Sequence, residues 1–433
     1  MKIVAFLPAK GSSSRIESKN LKLLDGKPLF LHTLEKLMKC DFIDEVYLDT
    51  ESEEIISYAK ETGCKILKRS PELASNSTNG NQLFMNEVRQ VDADIYIQIL
   101  CTSPFIELDT ILKGIQILKD NYGEFDSVVL CKNEKLYTWD GKFPQYDLIN
   151  IPNSIDLKDT TIETMGLYVI KREAAITFNR RIGEKPFLLN ASSLEAIDVN
   201  FPEDFRLANL IAAGIREKDR KLMDNIRNIL SSSMLSDVLD DFGYKNQVIK
   251  DLLPNISGNK FLGRAKTLKI RELRPGEDFK GIYEALYSYE TIVPNDVILV
   301  QNTVPDYAYF GDLNANLAIR SGASAVVIDG KTRDSNEVSK MGLPVYSRGY
   351  TCQDVRNRGT LESVNKKITI RGVEVSPGDL IYGDIEGVIS IPSSIEKIVI
   401  DEIYKRARIE KSILVDISLG IEPSELVVKH GFF

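Results

Sequence analysis

The stretch KIVAFLPAKGSSSRIESKN, residues 2–20, opens with an apolar run, Ile3 to Leu7, and then turns abruptly polar. The run reads as a buried strand, and Pro8–Asn20 as the loop at its end. Gly11 permits backbone angles closed to other residues, and the neighbouring Ser12, Ser13 and Ser14 are small. Such a loop can turn its N–H groups inward as an anion-binding nest. Lys10, Arg15, Lys19 and Lys22 put cations at the same mouth, as a polyphosphate requires. The motif GxxxxGK[ST] is absent, so this is not the phosphate loop of that class of nucleotidases. As pattern alone, an ordinary polar connection after a strand fits as well.

Working outward, the same strand–loop–helix grammar repeats. EVYLDT and DIYIQIL are strand candidates, and SEEIISYAKETG reads as a helix from a Ser52 cap to a Gly63 stop. ELDTILKGIQILKDN is a further helix, ending at Asn121, and DSVVLC a further strand. This alternation predicts an α/β domain with a mostly parallel sheet, whose ligands bind at the carboxyl ends of the strands. Residues 202–230 are helical in pattern with a strongly charged middle, REKDRK, and the domain boundary is placed between Arg216 and Leu222. The expected domains are therefore 1–218 and 222–433. The second carries its own strands, NDVILVQN, ASAVVIDG, LPVYSRG and GVISIP, its helix NANLAIRSG ending at Gly322, and a long last helix.

Composition narrows the function. With 433 residues, two domains are expected. A net charge of −8 without a basic block disfavours nucleic acid as a partner. No apolar run reaches the ~20 residues that span a membrane, and the N-terminal run is too short for a signal peptide. Five scattered cysteines without a CxxC pair read as reduced thiols, hence a cytoplasmic protein. With only His32 and His430, neither a His/Cys zinc site nor a Ser-His-Asp triad is expected; any metal should be a hard cation on carboxylates.

LPAKGSSSRIESKNLKLLDGKPLFLHTLEKL, followed in order by LDTESEEI, RSPELAS, LCTSPF, TMGLYVI and SLEAIDVNFPEDFRLA, resembles the CMP-acylneuraminate synthetase family. These enzymes activate sialic-acid-like 2-keto sugars with CTP. The resemblance implies a Rossmann-like nucleotidyltransferase fold and a triphosphate held on the first loop by Lys10, Gly11, Ser12, Ser13 and Arg15. It places Lys19, Asn20 and Lys22 near the nucleotide, Arg69 and Glu72 beside the base and sugar pockets, and Thr102 and Ser103 at the end of a central strand. Asp198 matches the first acid of the family's Asp-x-Asp magnesium pair. Asn200 replaces the second acid, so the resemblance leaves open whether the metal binds more weakly or whether Asp204 or Glu195 helps. Lys10 stands where the family usually has an arginine.

In the second half, GDLNANLAIRSGASAVVIDGKTRD, GLPVYSRG and RGVEVSPGDLIYGDIEGVISIP resemble the RraA-like family. It includes 4-hydroxy-4-methyl-2-oxoglutarate aldolases, oxaloacetate decarboxylases and members named as ribonuclease regulators. The resemblance implies that Gly311, Asp312, Leu313 and Asn314 present backbone N–H groups to a pyruvate-type carboxylate. Arg333 would stabilise the enolate, Asp334 would bind Mg²⁺, and Asp312 would orient a water in proton transfer. Both families imply homo-oligomers, with dimer contacts in the first domain and trimer contacts in the second. Three readings stay open: a bifunctional enzyme, a cytidylyltransferase with a non-catalytic assembly domain, and a regulatory binding protein.

Overall fold

The computed structural model describes residues 1–120 and 123–431 and divides into two compact units, Met1–Ala213 and Gly214–Phe433. The first unit contains β1 (Ile3–Pro8), α1 (Leu29–Leu37), β2 (Glu45–Thr50), α2 (Glu53–Ala59), β3 (Lys65–Lys68) and α3 (Gly80–Gln90). It continues through β4 (Ile95–Ile99), α4 (Leu108–Asp120), β5 (Ser127–Glu134), β6 (Thr160–Lys171), α5 (Arg172–Phe178) and β7 (Pro186–Asn190). The strands lie in the order β7-β5-β6-β4-β1-β2-β3, and β6 alone runs against its neighbours. The expected mostly parallel α/β sheet is present.

The apolar run of β1 is unbroken because both its faces are covered. Ile3, Ala5 and Leu7 pack with Phe30, Leu34, Ile97 and Ile111 on one side. Val4 and Phe6 pack with Phe84, Val88 and Ala175 on the other. Register then places the loops. Leu7 pairs Leu48 and Pro8 pairs Asp49, so the chain leaves β1 beside the end of β2. Ser52 caps α2 as expected, its side chain accepting the Ile55 N–H at 3.3 Å. The helix stops at Ala59, short of Gly63, which occupies a left-handed turn at φ +81°. The expected end of α4 at Asn121 lies outside the described residues. The charged helix α6 (Pro202–Ile229) follows, and the division between the units falls within its residues.

The second unit takes in the end of α6 and α7 (Ser232–Asp241) and is built on β8 (Phe261–Glu272), β9 (Asp296–Asn302), β10 (Ala325–Ile328) and β11 (Val345–Ser347), all parallel. Between them lie α8 (Asp312–Ser321) and α9 (Ser335–Lys340). Antiparallel strands extend the sheet: β12 (Gly359–Val364) and β13 (Leu380–Gly383) on β8, β14 (Val388–Ile391) on β13, and two-residue strands Val248–Ile249 on β14 and Leu253–Pro254 on β11 at its edges. The chain closes with α10 (Glu396–Ser418) and α11 (Pro423–His430). The central strand β8 escaped the sequence reading because Arg264, Lys266, Lys269 and Arg271 interrupt its apolar residues. Residues 279–291 form an extended 3₁₀ segment that was not expected either. No helix among the described residues is long and apolar enough to cross a membrane.

Candidate active sites

At the carboxyl ends of β1, β2 and β4, four segments of the first unit meet. Ala9 N–H donates to the Asp49 carbonyl at 2.9 Å, which starts the first loop along β2. Gly11 N–H donates to Glu51 Oε1 at 2.7 Å. Glycine is needed here for space, since a Cβ would stand 2.7 Å from Ser52 Cβ; the left-handed region anticipated for this residue is not used. Asn20 closes the loop on itself, donating through Nδ2 to the Lys10 carbonyl at 2.8 Å. The Cys101 thiol donates to Asn20 Oδ1 at 3.2 Å and so fixes which way that amide faces. Burial pushes this thiol up to about 11, so it stays a neutral donor.

Lys19 is buried and donates to the Val199 carbonyl at 2.8 Å. The Val199 N–H in turn donates to the Thr102 carbonyl at 2.8 Å, which ties the strand-end turn Thr102–Pro104 to the Asp198–Asn200 segment. Burial lowers the Lys19 pKa, while the charge of Asp198 works the other way and Arg15 reinforces the fall. Asp198 receives the Asn200 side-chain amide on Oδ2, and its Oδ1 is buried with no hydrogen-bond partner among the described residues. The two acids that could have replaced the missing carboxylate are engaged. Asp204 accepts the N–H groups of Asn200 and Phe201 at 3.0 and 2.8 Å. Glu195 accepts those of Ser192 and Glu107 at 2.9 and 3.2 Å.

The remaining expected residues divide. Arg69 is buried and paired with Asp49, Nε to Oδ1 at 2.9 Å, with Glu51 Oε2 at 3.9 Å. Arg15 lies over the Phe201 ring and Lys22 over the Phe205 ring, each at 5.4 Å. Lys10 reaches Asn76 at 2.7 Å. Ser103 is buried and its hydroxyl has no partner among the described residues. Ser12 is exposed, and Ser13 Oγ takes the Ile16 N–H at 3.5 Å in a local turn. Glu72 is exposed on the short 3₁₀ turn Pro71–Ala74, where its carbonyl accepts the Thr78 hydroxyl. It stands outside the bonds that join the other segments.

In the second unit the expected residues gather at the N-terminus of α8. Asp334 follows β10 in a left-handed conformation, φ +53°, an uncommon backbone for a non-glycine residue. Its Oδ2 accepts the Asp312 N–H at 3.3 Å and lies 3.6 Å from Arg333 Nε. Gly311 lines the same corner, and a Cβ on it would stand 2.5 Å from Asp334 Oδ2. Asp312 Oδ1 accepts the Leu313 N–H at 2.7 Å, and Leu313 itself is exposed. Asn314 turns back, donating to the Tyr309 carbonyl at 2.8 Å. Arg333 is held from the far side by Asp354, NH1 to Oδ2 at 2.8 Å.

Glu51 and Asp354 were not read as site residues. Glu51 sits in LDTESEEI directly before the Ser52 cap, and nothing local links it to Gly11. Asp354 is distant in sequence from Arg333, and the bridges between Ala308 and Asp354 and between Thr332 and Tyr350 bring it near.

Residues 4–147 match the family model described as Cytidylyltransferase, and residues 232–390 match the model described as Aldolase/RraA. Both resemblances read from the sequence are met, each over less than half of the chain. A CMP-N,N'-diacetyllegionaminic acid synthase of Legionella pneumophila is 27% identical over 48% of this chain and 94% of its own length. A 3-deoxy-manno-octulosonate cytidylyltransferase of Geotalea daltonii is 25% identical over 46% and 86%. A protein of Halalkalibacterium halodurans with a provisional name as a 4-hydroxy-4-methyl-2-oxoglutarate aldolase is 29% identical over 41% and 80%. The first unit is thus similar to cytidylyltransferases that make CMP-sugar acids, and the second to aldolase and RraA proteins.

Proposed function

We propose that the first unit transfers CMP from CTP to a 2-keto-3-deoxy sugar acid, and that the second cleaves or decarboxylates a pyruvate-yielding 2-keto acid. The observation that supports the first half is the convergence of the Lys10–Asn20 loop with buried Lys19 and the half-satisfied carboxylate of Asp198. In the reaction a sugar hydroxyl oxygen bonds to the α-phosphorus and gives up its proton to solvent, the bond from that phosphorus to the bridging oxygen breaks, and pyrophosphate leaves. Such a step needs positioning and charge neutralisation rather than a protein nucleophile. Lys10 and Arg15 neutralise the departing pyrophosphate, Lys19 stands by the developing charge, and Asn20 holds the loop closed.

The unpartnered Oδ1 of Asp198 is a hard donor that fits a divalent cation completing its shell with phosphate oxygens. Asp198 would hold it, with the Asn200 amide oxygen a weaker neighbour. In the second unit the Asp334 carboxylate in its glycine-lined corner fits one as well. A bound Mg²⁺ would supply Lewis-acid stabilisation of phosphate or enolate oxygen. There Arg333 neutralises the enolate oxygen and Asp312 orients a water for proton transfer. With this reading go a cytoplasmic location and a homo-oligomer.

The test is a panel. CTP and Mg²⁺ with 3-deoxy-manno-octulosonate, legionaminate-type and other 2-keto sugar acids should release pyrophosphate for at least one acid. 2-Keto acids with Mg²⁺ alone should release pyruvate. A second reading, in which the RraA-like unit is not catalytic, is favoured by one observation. The Asp312 and Leu313 N–H groups, needed for a substrate carboxylate, are already bonded to the protein's own carboxylates. No pyruvate from any 2-keto acid would select it.

A further inference from the structure

Glu87 lies on the face of α3 that carries Phe84, Met85 and Val88 into the core, and it is completely buried. Its Oε2 accepts Gln98 Nε2 at 2.8 Å, and Gln98 Oε1 accepts Arg181 at 3.3 Å. Glu87 Oε1 and Asp49 Oδ2 are both sealed from solvent, and neither finds a donor among the described residues. Gln98, which holds Glu87, stands opposite Phe6 on β1, and Pro8 of the same strand stands opposite Asp49, so the two carboxyl groups are close enough for each to feel the other's charge. Two adjacent carboxylates with two orphaned oxygens are costly in a core. One proton between them satisfies both oxygens and removes the like-charge repulsion.

The surrounding charges say where that proton sits. Burial raises the Asp49 pKa, but Asp49 Oδ1 is bonded to the Arg69 guanidinium, which works the other way and favours its ionised form. Glu87 faces the neutral Gln98 amide on one side and the Asp49 charge on the other. Burial first, and then the Asp49 charge, raise its pKa well above the ordinary carboxylate range. Beyond Arg69 stands Glu51, the acid that holds the Gly11 N–H. A proton on Glu87 would therefore link it to Asp49, which is bonded to Arg69, with Glu51 and the first loop next in line.

We propose that Glu87 carries a proton which it donates to Asp49, and that it is a positioning residue for Arg69 at the edge of the first unit's site. The proposal rests on the nucleotidyl-transfer reading of that site. Ionising Glu87 would put a second negative charge against Asp49, loosen the pair and let Arg69 move.

The experiment compares Glu87→Gln and Glu87→Leu in the full chain. Gln keeps a neutral donor for Asp49 and an acceptor for Gln98; Leu keeps neither. Pyrophosphate release gives KM for CTP and kcat from neutral to alkaline pH, and infrared difference spectroscopy on the same proteins looks for the carbonyl band of a buried protonated carboxyl. Leu should raise KM for CTP about tenfold with kcat little changed, whereas Gln stays within about twofold of wild type. The wild-type KM should rise at alkaline pH, and the rise should vanish in Gln. The band should be present in wild type and absent in Gln. Equal behaviour of Gln and Leu, or a band unchanged in Gln, overturns the proposal. Should Leu fail to fold, Gln and the band carry the test. If no acid gives pyrophosphate, the nucleotidyl-transfer reading has failed, and the band still decides where the proton is.

Discussion

Replacing Lys19 with Met separates a catalytic cation from a structural one. Among the described residues the Lys19 ammonium makes one hydrogen bond, to the Val199 carbonyl at 2.8 Å. Met fills similar space and deletes the ammonium. The lost bond leaves one buried carbonyl short of a donor, which costs about 1–3 kcal/mol. Against this, no charge has to be desolvated any longer, so the melting temperature should move little. Activity should respond differently. One cation aimed at charge developing in the transition state is worth ~100–1,000-fold in kcat. Pyrophosphate release under saturating CTP, with the melting temperature measured alongside, reads both. Lys19 must also be charged to act, and burial lowers its pKa below 10.5. Wild-type activity should fall on the alkaline side before an ordinary lysine would titrate, and Lys19→Arg should remove that limb because guanidinium stays charged. For stability the sign is opposite. Between the lowered folded value and the ordinary unfolded one, the unfolded chain binds more protons, so the Lys19 contribution rises with pH. Wild-type kcat in Lys19→Met, or a loss of activity matched by a collapse of the melting temperature, would refute the catalytic role.

Three further outcomes are expected. Asn200→Asp should lower the Mg²⁺ concentration giving half-maximal pyrophosphate release, because Asp204 and Glu195 are already bonded to backbone N–H groups; an unchanged requirement would show that another donor fills the position. Arg333→Ala should abolish pyruvate release from 2-keto acids while leaving pyrophosphate release within about twofold, as expected for independent sites; residual cleavage at the wild-type rate would remove Arg333 from the chemistry. Gly322→Ala should destabilise the protein by roughly 1–2 kcal/mol in denaturant unfolding, since residue 322 caps α8 at φ +91° with a would-be Cβ 2.8 Å from Pro294 Cα; a neutral substitution would mean that the cap relaxes freely.

The fold of the first unit was legible because its strands are buried on both faces and read as plain apolar runs. In the second unit β8 was not, since a strand with Arg264, Lys266 and Lys269 along it looks solvated until its neighbours are known. The local halves of each site were visible as motifs: the Gly11 loop, Thr102–Pro104, Asp198, and Arg333–Asp334. What stayed hidden was pairing across the chain. Glu51 and Gly11 lie 40 positions apart, and Lys19 and Val199 lie 180 apart. Glu87 did leave a trace, an acid at helical spacing among Phe84, Met85 and Val88, but such a residue can equally be a surface position until the helix is docked.

Each unit keeps a carboxylate of its own on the N–H groups that an anion would take, Glu51 on Gly11 in the first and Asp334 on Asp312 in the second. On the proposed reading an arriving anion would displace a ligand and gain only the difference between two bonds to the same amide. Affinity falls, but so does the barrier to departure, because the internal acid is waiting to return as the product leaves. Sites arranged this way favour short residence and rapid exchange over tight retention, and they are never left with bare, unsolvated amides between cycles.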